Sequence, residues 1–217
     1  MDARMHTEPG GPAVELQDGP LVVRKRAVSE MDNNVYLLSC ATTGHSLIVD
    51  AADDAPAIRD LADGTTPLAV VQTHGHWDHV RAWEDLVADH DLEVWGHEGD
   101  LPLYPRTPDR LLVDGQMLAV GSLAIEVLHV PGHTPGSLLL LVHGAEHPWL
   151  VTGDSLFPGG PGNTFGDVDA HALLMDGLEE RVFGRLPDST RVLPGHGDAT
   201  TLGAERPHLA EWRARGW

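Results

Sequence analysis

The stretch His74-Gly75-His76-Trp77-Asp78-His79 is where this chain is best entered. It packs three imidazoles and a carboxylate into six residues directly after residues 68–71, an apolar run that reads as a buried strand. Alternate residues leaving a strand point the same way, so His74 and His76 can grip one ion together. Asp78 and His79 then open a helix and face a second position nearby. The competing reading is a surface histidine cluster, or core histidines satisfied by hydrogen bonds. Composition explains the window poorly even in a chain with 14 histidines.

Three other stretches repeat the same arrangement. Pro131-Gly132-His133-Thr134-Pro135-Gly136 follows a strand ending at Val130, Thr152-Gly153-Asp154-Ser155 follows one ending at Val151, and Pro194-Gly195-His196-Gly197 follows one ending at Leu193. In each, glycine beside the His or Asp permits a sharp turn or close backbone approach. One such turn alone is a weak signal. Four in one chain, each with a candidate ligand just past a strand, predict a metal site gathered at one edge of the sheets.

The rest of the chain supplies those sheets. Runs at 21–28, 35–40 and 46–49 read as antiparallel strands, after which 55–61 and 79–89 read as helices alternating with strands at 68–71 and 92–95. Strands return at 116–120, 123–130, 137–142 and 149–151, then a helix at 169–183, a strand at 191–193 and a helix at 203–213. Residues 1–20, rich in Gly and Pro, read as a mostly irregular leader with one short strand near Val14. Residues 21–217 read as one domain with two sheets in the middle and helices outside.

Composition removes several functional classes. The 217 residues carry 14 Lys+Arg against 33 Asp+Glu, a formal charge of −19, which repels nucleic-acid phosphates and anionic membranes. Neither is expected as a partner; a small-molecule substrate is, and the oligomeric state is not readable. The longest apolar run, 138–142, falls far short of the ~20 residues that span a bilayer. A single cysteine, Cys40, excludes an intramolecular disulfide and reads as a core residue; with no apolar signal segment, the cytoplasm is the expected compartment. Lys25, the one lysine, lies between Arg24 and Arg26 in a strand, and Schiff-base chemistry is set aside.

On the four motifs, which occur in the family's order, the chain resembles, over about residues 20 to 213, the metallo-β-lactamase superfamily and, within it, the small glyoxalase II-like hydrolases. The resemblance implies an α/β fold, a four-layer αβ/βα sandwich with two metals at one edge. By it, His74, His76 and His133 would hold the first metal, Asp78, His79 and His196 the second, and Asp154 would bridge them. Asp78 and Asp154 are then the catalytic carboxylates. The implied cofactors are two divalent ions per chain, zinc foremost, with iron or manganese as alternatives. A bridging carboxylate is physically sensible, because two such ions ~3.5–4 Å apart repel each other. Asp50 resembles a position that orients a ligand imidazole; its plain reading is a strand-ending turn. His97 is a candidate pocket residue, and His129, inside a strand, a structural one. His6, His45, His90, His143, His147, His171 and His208 are expected at the surface or in loops.

The ligand set argues for hydrolysis by metal-activated water, with no protein nucleophile. β-Lactamases of the superfamily generally lack the aspartate found here as Asp154, and lactonases use a tyrosine beside the substrate, whereas only Tyr36 and Tyr104 are present. A glyoxalase II-like thioesterase fits better, with two departures. Only 21 residues follow His196, too few for the helical domain that helps to bind glutathione. In the loop 159–165, Asn163 and Phe165 stand where the glutathione enzyme has lysine and tyrosine, so another thiol carrier or a related small ester is expected. The alternatives are a mononuclear iron persulfide dioxygenase using His74, His133 and Asp154, a lactonase, and a non-catalytic metal-binding domain.

Overall fold

A computed structural model describes residues 4–88 and 92–216; His90 and the end of the helix expected over 79–89 lie outside them. Alternation in β2 (Leu21–Ala27) shows how the first sheet forms: Leu21, Val23, Lys25 and Ala27 are buried, and the residues between them are half-buried. The next strand, β3 (Asn34–Cys40), is buried along its whole length, as a strand covered on both faces must be. With β1 (Val14–Asp18), β4 (His45–Val49), β5 (Thr66–Val71), β6 (Glu93–Gly96) and β7 (Arg110–Leu111), these make a seven-stranded sheet in sequential order. Pairing is antiparallel as far as β4 and parallel from β4 to β7.

The second sheet contains β8 (Met117–Val120), β9 (Leu123–His129), β10 (Leu138–His143), β11 (Pro148–Gly153), β14 (Arg191–Pro194) and β15 (Thr200–Thr201), in the order β15-β14-β11-β10-β9-β8. A small hairpin, β12 (Leu156–Phe157) with β13 (Gly160–Pro161), follows β11. Leu38, Val49 and Val71 of one sheet share a core with Ile125, Leu140 and Val151 of the other. On the outer face of the first sheet, α1 (Ala55–Leu61) and α2 (Trp83–Ala88) bury Ile58, Trp83 and Leu86 against Leu37, Ile48 and Val70. On the outer face of the second, α3 (Val168–Gly177) and a π-helical continuation, Leu178–Phe183, bury Leu174, Leu178 and Val182 against Leu139, Leu150 and Val192. The order is helix, sheet, sheet, helix: the four-layer sandwich expected from the sequence.

Several local expectations differ from the structure. The short strand expected near Val14 is present as β1, paired with β2, but the leader before it buries Met5 in the core between the sheets, and residue 20 lies in the turn between β1 and β2. The single helix expected from His79 is instead a 3₁₀ turn, Trp77–His79, and a separate α2. Between them, Ala82 N donates to Ala51 O at 2.9 Å, a tertiary bond that restarts the helix. The helix expected at 203–213 is broken into α4 (Leu202–Glu205), a 3₁₀ turn containing Pro207, and α5 (Leu209–Arg215). His171 is not at the surface: it is buried, with Nε2 at 3.2 Å from Trp212 O. Among the described residues no helix is long and apolar enough to cross a membrane.

Candidate metal centre

Strands β5, β9, β11 and β14 deliver the four motifs to one place. Three groups have ligand atoms within 4.8 Å of one another: His74, His76 and His133; His74, His79 and Asp154; and Asp78, His79 and His196. Every one of the seven candidate ligands belongs to at least one group. Glycine makes the convergence possible: a Cβ on Gly195 would lie 2.0 Å from Asp154 Oδ1. At Gly132, φ is +141° and a Cβ would meet Leu174 Cβ at 2.5 Å.

The imidazoles are oriented from behind. His79 Nδ1 donates to Asp50 Oδ2 at 2.9 Å, His133 Nδ1 to Asn163 O at 2.8 Å, and His196 Nδ1 to Met31 O at 2.8 Å. Thr73 uses its hydroxyl proton on Asp50 Oδ2 at 2.9 Å and so accepts from His74 Nδ1 at 3.0 Å. These partners assign the tautomers: four rings turn an unprotonated Nε2 inward. The Nε2 atoms of His79 and His196 then face each other at 3.1 Å. Those of His74 and His133, with Asp154 Oδ1, are buried and have no hydrogen-bond partner among the described residues. Converging lone pairs repel, and orphaned buried acceptors are costly. Divalent cations resolve both problems, so the donor set fits metal ions.

The electrostatics agree. Burial alone would push the Asp154 carboxyl up, but His79, His196 and His74 hold it well below the usual carboxylate range. Asp78 is likewise held low against burial, by His196 and Asn33. Burial pushes the His74 imidazole well below its ordinary value, which keeps it neutral as a ligand must be. His196 goes the other way: against burial, Asp154 and Asp78 raise it to about 10, so that a cation at its Nε2, a metal ion or in its place a proton, is drawn in by the two carboxylates. A positive charge is favoured between those carboxylates.

The other residues singled out from the sequence divide. Asp50 touches His79 directly and reaches His74 through Thr73, so its imidazole-orienting reading is the one the geometry supports over a plain turn. Asn163 orients His133 through its carbonyl, while its side-chain Oδ1 accepts from Phe165 N at 2.6 Å. Phe165 is exposed, has φ +56°, and sets its ring 5.8 Å from that of His76 and 6.1 Å from that of His133. His97 does not join the cluster: it stacks on His129 with ring centroids 4.0 Å apart, and His129 Nε2 donates to Pro135 O at 2.9 Å.

Sequence reasoning missed Asn33, which is fully buried and whose Nδ2 donates to Asp78 Oδ2 at 3.0 Å. It also missed the cradle under the His196 loop. There Tyr36 OH donates to Pro194 O at 2.7 Å, Asn34 Nδ2 to Gly197 O at 2.9 Å, and Lys25 Nζ to the same carbonyl at 2.5 Å. The only available signal was a lysine at an inward position of β2.

A family model for the metallo-beta-lactamase superfamily matches residues 28–196. The hydroxyacylglutathione hydrolase of Anaeromyxobacter dehalogenans is 39% identical over 166 residues, covering 76% of this chain and 61% of that protein. The chain thus spans about three-fifths of the length of that curated relative. Among solved structures, TTHA1623 in a di-iron-bound form is 32% identical with a TM-score of 0.68, covering 83% of this chain and 95% of that one. ETHE1 from Myxococcus xanthus is 26% identical with a TM-score of 0.73, covering 94% of this chain and 85% of that one.

Proposed function

The chain belongs to the metallo-β-lactamase superfamily, and from that premise we propose that it is a dinuclear metal-dependent hydrolase of thioesters or related small esters. One observation carries the reading: beside the triad of His74, His76 and His133, a second complete triad of Asp78, His79 and His196 is assembled, with Asp154 among both sets of rings. One ion needs only three or four protein ligands. Two divalent ions, when bound, supply a hydroxide near neutral pH and polarise the substrate carbonyl.

The protein's own groups do the rest. Asp154 lies 3.6 Å from His133 of the first set and 3.4 and 3.5 Å from His79 and His196 of the second, so it would be shared between the two ions. Asp78, fixed by Asn33 and held ionised, would be a ligand of the second ion. Asp50, Asn163 O and Met31 O hold the rings against rotation, so the site is organised before substrate arrives. Zinc is the proposed metal, with iron the alternative that the di-iron form of TTHA1623 favours. The likeness to hydroxyacylglutathione hydrolases supports a thioester as substrate.

The test is metal content measured together with thioester turnover. We expect two equivalents per chain, loss of activity in chelator and recovery with Zn²⁺, Mn²⁺ or Fe²⁺. One equivalent, unchanged after incubation with any of these, overturns the reading. A second reading, a mononuclear iron persulfide dioxygenase on His74, His133 and Asp154, draws support from the likeness to ETHE1. It makes His196 a bystander, and oxygen uptake on a persulfide tests it.

A further inference from the structure

We infer that Asp100 is the positioning residue of the first metal site, tying together the two loops that carry its three histidines. The inference rests on the two-metal reading above. Asp100 ends the 3₁₀ turn Glu98–Asp100 after β6 and is completely buried. Its Oδ2 accepts from Gly75 N and from Thr134 Oγ1, both at 2.7 Å, and its Oδ1 accepts from Gly136 N at 2.7 Å. Gly75 is the residue between His74 and His76. Thr134 and Gly136 follow His133 in the second loop. One carboxylate therefore fixes the backbone on which all three ligands of one ion are mounted.

A packing role would not need a carboxylate. Burying one is costly unless its oxygens are hydrogen-bonded, and a leucine would fill the space without that cost. The charge is instead spent on two backbone amides and a hydroxyl that have to be held close. The fit is tight: a Cβ on Gly136 would lie 2.6 Å from Asp100 Cγ, and one on Gly99 would lie 2.7 Å from Pro135 O. Asp100 hydrogen-bonds to none of the second ion's ligands, which are held by Asn33, Met31 O and Asp50, the last also reaching His74 through Thr73. Selective control of the first ion follows from this division.

Asp100→Asn is the discriminating change, because it keeps the shape and alters one atom. If the new amide nitrogen takes the Oδ1 place it faces Gly136 N–H; in the Oδ2 place it faces Gly75 N–H. Either way one backbone amide loses its acceptor and meets a donor. Co²⁺ titration, followed by its visible spectrum, reads each site alone: the first in a His196→Ala background, the second in a His76→Ala background. We expect Asp100→Asn to weaken the first site by at least about tenfold and the second by less than about threefold. Equal weakening of both sites indicates a merely structural residue and overturns the inference, as does no weakening.

Thr134→Val removes one of the three bonds and leaves the carboxylate charge, so it serves if Asp100→Asn does not fold. It should weaken the first site by about threefold with the second unaffected; an unchanged first site overturns the inference. Failure of the unaltered protein to bind two ions overturns the two-metal reading and this inference with it. Two ions bound by both the unaltered and the Asp100→Asn protein with equal affinity overturn the Asp100 inference alone.

Discussion

His196 is fixed from both sides of its ring, by Met31 O at Nδ1 and by the carboxylates of Asp78 and Asp154 near Nε2. In the two-metal reading, His196→Ala releases the second ion and leaves His74, His76 and His133 intact. Thioesterase activity should fall by at least about a hundredfold, worth ~2.7 kcal/mol in the transition state, while one metal equivalent stays bound. In the one-iron reading, oxygen uptake would survive within about tenfold. Retained thioesterase activity after loss of one metal would sink the mechanism. Lys25 offers a pH test at the same scale: burial lowers it from an ordinary 10.5 to about 8. Between about 8 and 10.5 the unfolded chain holds a proton that the folded chain has released, so stability rises with pH across that window. Compared with Lys25→Met, the unaltered protein should gain about 3 kcal/mol from pH 7 to pH 11, read from urea unfolding at each pH. A flat difference would show that Lys25 is not desolvated.

Among the elements, the strap formed by residues 4–18 separates what a pattern can reveal from what it cannot. Gly and Pro mark 8–12 correctly as irregular, but nothing in the sequence around Met5 announces that it lies in the core between the sheets. Arg4 O accepts from Ala199 N at 2.7 Å, and His6 meets Asp198 at 2.6 Å, contacts made across more than 190 residues. Met5→Ala should therefore cost roughly 2–5 kcal/mol of unfolding free energy, as a buried methionine does. A loss below about 0.5 kcal/mol in denaturant titration, the usual size for an exposed position, would return the segment to the status of a leader. Long strands with inward alternation, such as β2 and β9, were legible because burial imposes a period of two. The break after His79 and the π-helical turn after Gly177 were not, because tertiary bonds and packing impose them on residues with ordinary helical preference.

For the molecule as a whole, the same division explains how much of the candidate site could be read. Its seven candidate metal ligands sit in short motifs at strand ends, where glycine and histidine together leave a local trace. Asn33 and Asp100 leave none, since each is one polar residue in a turn whose partners are 25 to 45 positions away in sequence. Net charge is the remaining whole-chain property with a functional consequence. At −19 the protein's field opposes anionic substrates, and added salt screens it, with a Debye length of ~10 Å at 0.1 M and ~3 Å at 1 M. Within the site, Asn163 and Phe165 offer no cation to a carboxylate, and Arg81 is already stacked 5.0 Å over Trp77 and paired with Asp53 at 3.1 Å. A lactoyl ester of glutathione, which is anionic, should thus be disfavoured relative to a lactoyl ester of a small neutral thiol. The ratio of their kcat/KM values, glutathione over neutral, should rise by roughly threefold between 20 mM and 0.5 M NaCl as the repulsion is screened. It should start below one at low salt; a preference for the glutathione ester above about a hundredfold, beyond ~2.7 kcal/mol, would demand dedicated contacts to the glutathione moiety. A ratio that falls with salt would mean that a positive patch receives the carrier, and the proposed preference for an uncharged thiol would be wrong.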